Sequence, residues 1–410
     1  MSRLVIYKDF FRSGRGADRA TATLANAMAA IGYEVHIVTK QSAKEPFSVT
    51  FSPEVTCHCL PNPKRPFIRT LNKWLLSSAL GERFLARCFP KWDLVRVCSV
   101  RLQAMVARLK PDVVVAAGTN ECVDLLLAGP LSVPVVVMFH VFPPECFRKN
   151  KFRRASRLKA LLPLAAECQV LLPSHCATLR PYTAAPVTAI GNGIAYPIDE
   201  GVPEGDAREK SIVYVAYFSR EKNHLELLEA FARLSALDWT LHLYGSGTPE
   251  WEERLKSRAD ALGIAGRVRF MGITLTPRPV LLRAGICAFP SKVEGFGLAL
   301  AEAMWCGLPC VGCKDSPGVN ELITHEANGL LAEAGPEAYA TQLQRLIDDA
   351  DLRERLGAAA ARTARRTWSQ AAIIQQWDDL FQRNIDLAQR QQTPAESADS
   401  PSQEVAPDTP

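Results

Sequence analysis

Residues 290–312 read PSKVEGFGLALAEAMWCGLPCVG and carry the strongest structural signal in the chain. The apolar run before them predicts a strand that ends at Pro290–Ser291. A turn holding Glu294 and two glycines follows, and a helix then runs to about Cys306, with Gly307 placed as its C-terminal cap. Strand, glycine turn and helix in this order are typical of a sheet whose crossover connections are helices.

The chemistry of this turn points to an anionic, hydroxyl-bearing ligand. Gly295 and Gly297 permit close backbone approach, and the first helical amides together with the helix dipole favour an anion. Glu302 has apolar neighbours at nearly every position, so its carboxylate needs donors, which sugar hydroxyls would supply. The competing interpretation is that Glu294 and Glu302 are simply acidic residues stabilised near a helix start.

Outward from this stretch, short apolar runs alternate with helical patterns along the whole chain. Runs that are apolar throughout predict strands buried on both faces, as in parallel sheets. We therefore predict an α/β protein with two doubly wound, Rossmann-like domains, residues 1–195 and 206–375, whose ligands bind in the cleft between them. The predicted strands are Leu4–Tyr7, Glu34–Thr39, Asp112–Ala117, Pro134–His140, Gln169–Pro173, Val187–Ile190, Ile212–Phe218, Thr240–Tyr244, Val268–Met271, Ile286–Pro290, Pro309–Gly312 and Gly329–Ala332.

Length and composition agree with two packed domains. The chain has 410 residues, of which 48% are hydrophobic. No apolar run approaches the roughly 18 residues of a membrane span, and MSRLVIYKDFF at the start does not resemble a secretory signal. The 12 cysteines are scattered, which suits a reducing cytoplasm. Cys310 and Cys313 form a C-x-x-C pair, for which a buried strand end is favoured over a redox or metal site.

Charge is distributed unevenly. Residues 1–195 carry 26 Lys and Arg against 12 Asp and Glu, whereas the whole chain has a net charge of +5. Residues 66–92 mix basic residues with tryptophan and leucine, and residues 148–159 hold seven basic residues and no acid. These segments favour peripheral binding to an anionic membrane surface over nucleic acid, since no nucleic-acid motif accompanies them. Solvated helix faces are the simpler alternative.

The C-terminal end is predicted in two parts. Residues 376–389 are expected to form a helix that returns to the first domain. Residues 390–410 are rich in Pro, Ser, Gln and acid, and we expect a disordered tail.

Glu294 and Glu302 are separated by seven residues, and this spacing resembles the E-x7-E motif of glycosyltransferase family 4, the retaining GT-B enzymes. The resemblance extends along most of residues 1–375. It implies that Glu294 lies toward the transferred sugar and that Glu302 accepts from the ribose hydroxyls of a nucleotide-sugar donor.

Further stretches are similar to the family in order and spacing. AIGNGI at 189–194 resembles the turn that enters the linker, and LHLYGSGTPE at 241–250 resembles a glycine turn after a strand. RVRFMG at 267–272 resembles the strand bordering the base, and residues 316–331 resemble the stretch after E-x7-E.

Two features of the first domain are also similar to the family. FFRSGRGADR, residues 10–19, resembles the loop and helix near the donor phosphates, with Arg15 where a glycine is usual; a bare turn is the alternative. His140 stands where the family often has a histidine near the sugar and acceptor, unless a backbone group satisfies it.

One segment departs from the family. VAYFSREKNHLELLEAF, residues 215–231, resembles the turn in which an arginine and a lysine clamp the donor diphosphate. Lys222 matches the lysine, but Tyr217 occupies the arginine's place, and a phenol supplies neither the charge nor the donors of a guanidinium. Arg220 is a candidate replacement.

The resemblance implies transfer with retention, without an enzyme nucleophile, in which the protein positions the donor and stabilises the leaving diphosphate. It assigns catalytic roles to Glu294, His140 and Lys222. It assigns donor binding to Gly14, Gly16, Arg220, Lys222, Gly245, Glu294, Gly295, Phe296, Gly297, Leu298 and Glu302.

The expected partners are a nucleotide-sugar donor and a lipid-linked or glycan acceptor of the cell envelope, such as lipopolysaccharide. No motif requires a cofactor or divalent metal. Asp349 and Asp351 have the spacing of a metal-binding D-x-D pair, but they lie in a polar helical stretch and are interpreted as surface residues. The expected location is cytoplasmic, on the inner face of the membrane. Two alternatives remain open: a GT-B phosphorylase or epimerase, and a non-catalytic GT-B protein that binds a nucleotide sugar, which Tyr217 would favour.

Overall fold

The computed structural model describes residues 1–11, 16–42, 45–60, 94–147, 155–197 and 208–392. Within these ranges the chain forms two parallel sheets with helices packed on them, so the predicted class of two doubly wound α/β domains is confirmed. Among the helices of these ranges we find none with the length and hydrophobicity of a membrane-spanning segment.

The first sheet has the strand order β3-β2-β1-β4-β5-β6-β7, with every pair parallel. Its inner strands are buried along their length, as runs such as VVVA and VVVM require. The strands are β1 Arg3–Tyr7, β2 Glu34–Thr39, β3 Thr56–Cys59, β4 Val113–Ala116, β5 Val135–Met138, β6 Glu167–Val170 and β7 Val187–Ala189. The helices of this part are α1 Gly16–Ala30, α2 Leu94–Leu109, α3 Thr119–Leu126, α4 Pro143–Cys146, α5 Ala155–Leu161 and α6 Pro173–Leu179, with 3-10 turns at Leu162–Leu164 and Arg180–Tyr182.

The second sheet has the order β10-β9-β8-β11-β12-β13 and is again parallel. Its strands are β8 Glu209–Val215, β9 Thr240–Tyr244, β10 Val268–Gly272, β11 Ala284–Phe289, β12 Cys310–Cys313 and β13 Leu330–Ala332. Its helices are α7 His224–Phe231, α8 Pro249–Ala261, α9 Pro277–Arg283, α10 Leu298–Trp305, α11 Val319–Leu322, α12 Pro336–Asp348 and α13 Ala350–Trp368, with a 3-10 turn at Ala265–Arg267. In both sheets the strand order reverses beside the first strand, at β1/β4 and at β8/β11, which is where such sheets bind ligands.

Strand β3 was not predicted from the sequence. Its residues, TCHC, include no large aliphatic side chain and are mostly exposed, yet it pairs with β2 at the edge of the sheet. An edge strand has a neighbouring strand on one side only. Its side chains are more exposed here, so it lacks the apolar run on which strand prediction depends. Cys310 and Cys313 both lie in β12, where residues three apart point to opposite faces, so this geometry does not favour a joint redox or metal site.

The last helix, α14, spans Gln370–Gln392 and packs on the first domain. Trp377 and Phe381 are buried in the same cluster as Met28 of α1. The carboxylate of Glu167, buried in β6, accepts hydrogen bonds of 2.7 Å from Arg383 Nη2 and from Asn384 Nδ2. A buried carboxylate needs such donors, so Glu167 anchors the returning helix.

The helix is longer than the predicted 376–389. Residues 370–375, predicted within the second domain, belong to α14, as do residues 390–392 of the predicted tail, because the apolar helical pattern starts at Ile373. The remainder of the tail, residues 393–410, lies outside the described residues.

The chain crosses between the domains twice, and the two crossings lie side by side. The amide of Ile194 donates to the carbonyl of Trp368 at 2.8 Å, and Ile194 forms a bridge with Ser369. The crossings therefore define one edge of an interdomain cleft.

Candidate active site

The turn between β11 and α10 is held in place by its neighbours. The amide of Glu294 donates to the carbonyl of Pro317 at 2.9 Å, and Gly297 caps α10 with a φ of 82°. A Cβ on Gly318 would lie 2.7 Å from the carbonyl oxygen of Glu294, so only glycine fits beside the turn. The first amides of α10, beginning with Leu298, thereby remain at the carboxyl end of the sheet.

Glu294 pairs with the lysine expected from the sequence. Lys222 Nζ lies 2.6 Å from Glu294 Oε1, and the carboxylate is buried while the lysine is half-buried. The hydroxyl of Tyr214 donates to the Lys222 carbonyl at 2.9 Å and lies 2.7 Å from Ser291 Oγ. The turns after β8 and β11, which are neighbouring strands, are therefore joined with an ammonium and a carboxylate between them.

Glu302 lies deeper and has a partner in the other domain. Its carboxylate is only 3% exposed, and Oε1 pairs with Arg19 Nη2 of α1. Its Oε2 has no hydrogen-bond partner among the described residues. Burial raises the pKa of Glu302, and the charge of Arg19 opposes that rise. Sequence reasoning did not single out Arg19; the available signal was an arginine one turn into a helix that follows a glycine loop.

The two domains touch directly at this site. A Cβ on Gly295 would lie 2.5 Å from the carbonyl oxygen of His140 and 3.0 Å from Cα of Val141, so the glycine permits the turn after β11 to meet the end of β5. Across the same cleft, Gly16 lies near Leu298, since its Cβ would be 3.9 Å from Leu298 Cδ2.

Two more contacts join the halves. Phe296 packs against Gly191 at the entry to the linker. A Cβ on Gly191 would lie 3.1 Å from the phenyl ring. Ser174 of α6 donates through its hydroxyl to Glu321 of α11. The carboxyl ends of both sheets thus face a shared, partly closed cleft.

His140 is held as a neutral imidazole. One ring nitrogen hydrogen-bonds the backbone of Ala117, and Nε2 is buried with no hydrogen-bond partner among the described residues. Burial, together with the nearby charge of Lys8, lowers the pKa of His140 to about 3. At neutral pH its Nε2 is therefore a hydrogen-bond acceptor rather than a charge.

The remaining predicted residues are less closely associated with this group. Arg220 is exposed on the turn that carries Lys222, and Tyr217 is 37% exposed there. Gly245 has a φ of 144° and a Cβ position 1.9 Å from the carbonyl oxygen of Ala216, so only glycine lets the turns after β8 and β9 approach each other here. Gly14 lies outside the described residues.

A charged cluster at the carboxyl end of the first sheet was not predicted. Lys8 Nζ lies 3.6 Å from Asp18 Oδ1 and 3.9 Å from Glu121 Oε1. Beside them, Lys40 pairs with Asp9 at 2.9 Å and with Asp124. Burial raises the pKa of Glu121 to about 7. The signal in the sequence was a charged residue directly after each of two buried strands.

Comparison with known proteins identifies both domains. Residues 15–185 match the family model described as Glycosyl transferase 4-like domain, and residues 199–363 match Glycosyl transferases group 1. The chain is 30% identical over 175 residues to N-acetyl-alpha-D-glucosaminyl L-malate synthase of Bacillus anthracis, covering 42% of this chain and 45% of that protein. It is 31% identical over 175 residues to the lipopolysaccharide core biosynthesis glycosyltransferase LpsD of Rhizobium meliloti, covering 42% and 50%.

Among solved structures, the Anabaena protein HepE in complex with UDP and glucose is similar with a TM-score of 0.69 at 17% identity, covering 93% of this chain and 100% of that one. The fold is that of the GT-B glycosyltransferases. The chain spans about half the length of the two curated relatives compared above. The two family matches are adjacent and together take in most of the chain, so this protein consists of a glycosyl transferase 4-like domain followed by a group 1 glycosyltransferase domain.

Proposed function

We propose that this protein transfers a sugar, with retention, from a nucleoside-diphosphate sugar to a hydroxyl of a cell-envelope glycan or lipid-linked acceptor. The observation that carries the proposal is a group of charged side chains where α10 faces the other domain. Glu294, just before this helix, pairs with Lys222, and the buried Glu302 lies within the helix. These groups offer a cation and helix amides to a diphosphate and a carboxylate oxygen to hydroxyls.

In this proposal Lys222 turns from Glu294 to the donor diphosphate and stabilises the charge that develops on it as the sugar leaves. Glu294 then accepts from hydroxyls of the transferred sugar, and Glu302 accepts from the ribose. Nε2 of His140, neutral and unpaired among the described residues, accepts from a sugar or acceptor hydroxyl. The incoming hydroxyl loses its proton to an oxygen of the departing diphosphate, so no protein nucleophile is needed.

A uridine diphosphate sugar is the donor we test first, because HepE was solved with UDP and glucose and a relative is named N-acetyl-alpha-D-glucosaminyl L-malate synthase. The experiment is a thermal-shift screen of nucleoside diphosphates and their sugars, followed by hydrolysis of the best donor without acceptor. We expect stabilisation by UDP and slow release of sugar, both unchanged in EDTA, since no metal is assigned a role. Absence of stabilisation by every nucleoside diphosphate would contradict the proposal.

The alternative, a non-catalytic binding protein, is favoured by Tyr217, which is exposed where the family has an arginine. Binding of a donor without hydrolysis or transfer would support it. For the acceptor, the relative LpsD is named for lipopolysaccharide core biosynthesis, and this supports an envelope glycan for the present chain as well.

Replacing Gly295 with alanine is expected to lower turnover about a hundredfold, the order expected for a misplacement of about 1 Å. The added Cβ would overlap the carbonyl oxygen of His140, so the domains could not approach as they do now. Affinity for UDP should fall as well, because Arg19 of the first domain cannot stay beside Glu302 when the domains are held apart. Gly266→Ala is the matched control, since its Cβ meets nothing within 4 Å. Unchanged turnover in Gly295→Ala would show that this contact is not needed for transfer.

We also propose that the protein binds the inner membrane surface through its basic first half. The support is sequence composition: segment 66–92 and residues 148–154 lie outside the described residues, and only Arg157 and Lys159 of the second basic run lie in described helix α5. Binding to vesicles should rise with anionic lipid and fall with salt, because each basic residue near the surface contributes about 1 kcal/mol.

The measurement is co-sedimentation with vesicles of graded anionic content at low and high salt. Reversing the charges of Arg153, Arg154 and Arg157 together should weaken binding, whereas reversing the half-buried Arg345 of the second domain should not. A protein that ignores anionic vesicles at low salt would exclude this membrane role.

A further inference from the structure

Arg19 links the two domains at the proposed nucleotide site. It lies in α1 of the first domain, 283 positions before its partner Glu302 in α10 of the second. The arginine side chain is 36% exposed, so it lines the cleft, while the carboxylate it holds is buried. A guanidinium has a planar set of donors and orients the carboxylate that it binds.

The two oxygens of the Glu302 carboxylate have different surroundings. Oε1 is occupied by Arg19, whereas Oε2 is buried without a hydrogen-bond partner among the described residues. The hydroxyl of Tyr196 lies close enough to lower the pKa of this carboxyl, but it is itself buried without a hydrogen-bond partner among the described residues, so it does not satisfy Oε2. A buried carboxylate oxygen without a donor is costly, so it marks a place where a ligand donor is expected.

We propose that Arg19 is a positioning residue for the nucleotide: it holds Glu302 so that Oε2 faces the ribose hydroxyls, and it does so only while the domains are closed. This inference rests on the proposed donor site. Its consequence is that closure and tight donor binding support each other, because opening the cleft removes Arg19 from Glu302 and leaves a buried carboxylate unpaired.

The ionisation of Glu302 depends on the charges around it. Burial raises the pKa of this carboxyl, and Arg19 holds it down. Besides Arg19, the groups that interact with it are Tyr196 on the linker and Cys306, which directly follows α10. Arg208, Arg278 and Arg365 lie around Cys306. With Arg19 removed, the pKa of Glu302 should rise further.

The first experiment uses the protein without nucleotide and measures thermal unfolding of Arg19→Ala against wild type from pH 5 to pH 8. A carboxyl whose folded-state pKa is raised loses stability as pH increases from its unfolded pKa through the folded one. The variant should therefore lose at least about 3 °C more at pH 8 than at pH 5. In a Glu302→Gln background the same arginine change should cost equally at both pH values.

Arg345→Ala is the matched control for this arm. It removes an Arg–Glu pair with Glu326 that is exposed on the second domain and screened by solvent. It should cost little at either pH. A loss for Arg19→Ala that does not depend on pH, or that keeps the same pH dependence in the Glu302→Gln background, would overturn the coupling of Arg19 to Glu302 ionisation.

The second experiment measures UDP affinity of wild type, Arg19→Ala and Arg19→Lys between pH 6 and pH 8.5. Relative to wild type, Arg19→Ala should bind about tenfold more weakly at pH 6 and recover part of the loss at pH 8.5, as Glu302 ionises. Arg19→Lys should be intermediate, since it restores charge without the planar fork. For 2′-deoxy-UDP the loss in Arg19→Ala should be smaller.

The outcomes separate the two proposals. If wild type binds no nucleoside diphosphate, the proposed function fails, and with it the role of Arg19 toward ribose, whatever the unfolding data show. If wild type binds UDP and Arg19→Ala has the same pH profile and the same loss for both nucleotides, the donor site stands and the positioning role of Arg19 is wrong.

Discussion

Replacing Lys222 with alanine is expected to weaken UDP binding about a hundredfold, equivalent to about 3 kcal/mol, and to lower donor turnover by at least as much. Lys222 lies 2.6 Å from Glu294 in a half-buried setting, where a charge-assisted bond is stronger than on the surface. Its removal also leaves the buried Glu294 carboxylate next to the incoming diphosphate, so repulsion between like charges adds to the lost attraction. Isothermal titration with UDP measures the first effect and donor hydrolysis the second.

The matched control is Lys210→Ala, which removes a lysine of the same domain from an exposed pair with Asp238. It should leave UDP affinity unchanged because the pair is far more exposed. Lys222→Arg should keep part of the affinity. Unchanged binding in Lys222→Ala would show that the diphosphate lies elsewhere.

Tyr217→Arg tests the same clamp in the opposite direction. A guanidinium at this exposed position of the turn should add a second cation beside Lys222 and tighten UDP binding. Tighter binding would show that Tyr217 marks a lost contact. An unchanged or weaker affinity would indicate that another group already supplies the charge.

Replacing Glu302 with glutamine is expected to weaken binding of UDP about tenfold while affecting 2′-deoxy-UDP much less. The substitution keeps the shape of the side chain but removes the charge that accepts from two ribose hydroxyls and that pairs with Arg19. The two affinities are measured by titration at pH 7.5 in wild type and variant. Equal losses for the two nucleotides would exclude ribose recognition as the role of Glu302.

Much of the fold could be predicted because parallel strands that are buried on both faces have continuous apolar sequences. Stretches such as VVVA and VVVM can pack only with both faces covered, and helical patterns between them imply crossover connections. Strand β3 could not be predicted, because it is mostly exposed and lacks an apolar run, and its pairing with β2 is visible only in the structure.

Part of the candidate active site could likewise be predicted from the sequence, and part could not. Local sequence determined the turn around Glu294, because the positive φ at Gly297 favours glycine at the start of α10. That Lys222 and Glu294 lie close together could also have been predicted, since both follow strands that a doubly wound sheet places side by side.

Only the tertiary structure decided what lies across the cleft. Arg19 and Glu302 are 283 residues apart, and no periodicity or spacing in either helix points to the other. Their contact depends on how two separately folded sheets meet, which is set by the paired crossings at Ile194 and Trp368 and by the return of α14 to Glu167. Sequence patterns report burial within one element and its neighbours along the chain. The charge environment of a buried carboxylate instead depends on groups brought together from both domains. For this reason Glu302 could be predicted from the sequence, whereas its partner Arg19 was identified only in the tertiary structure.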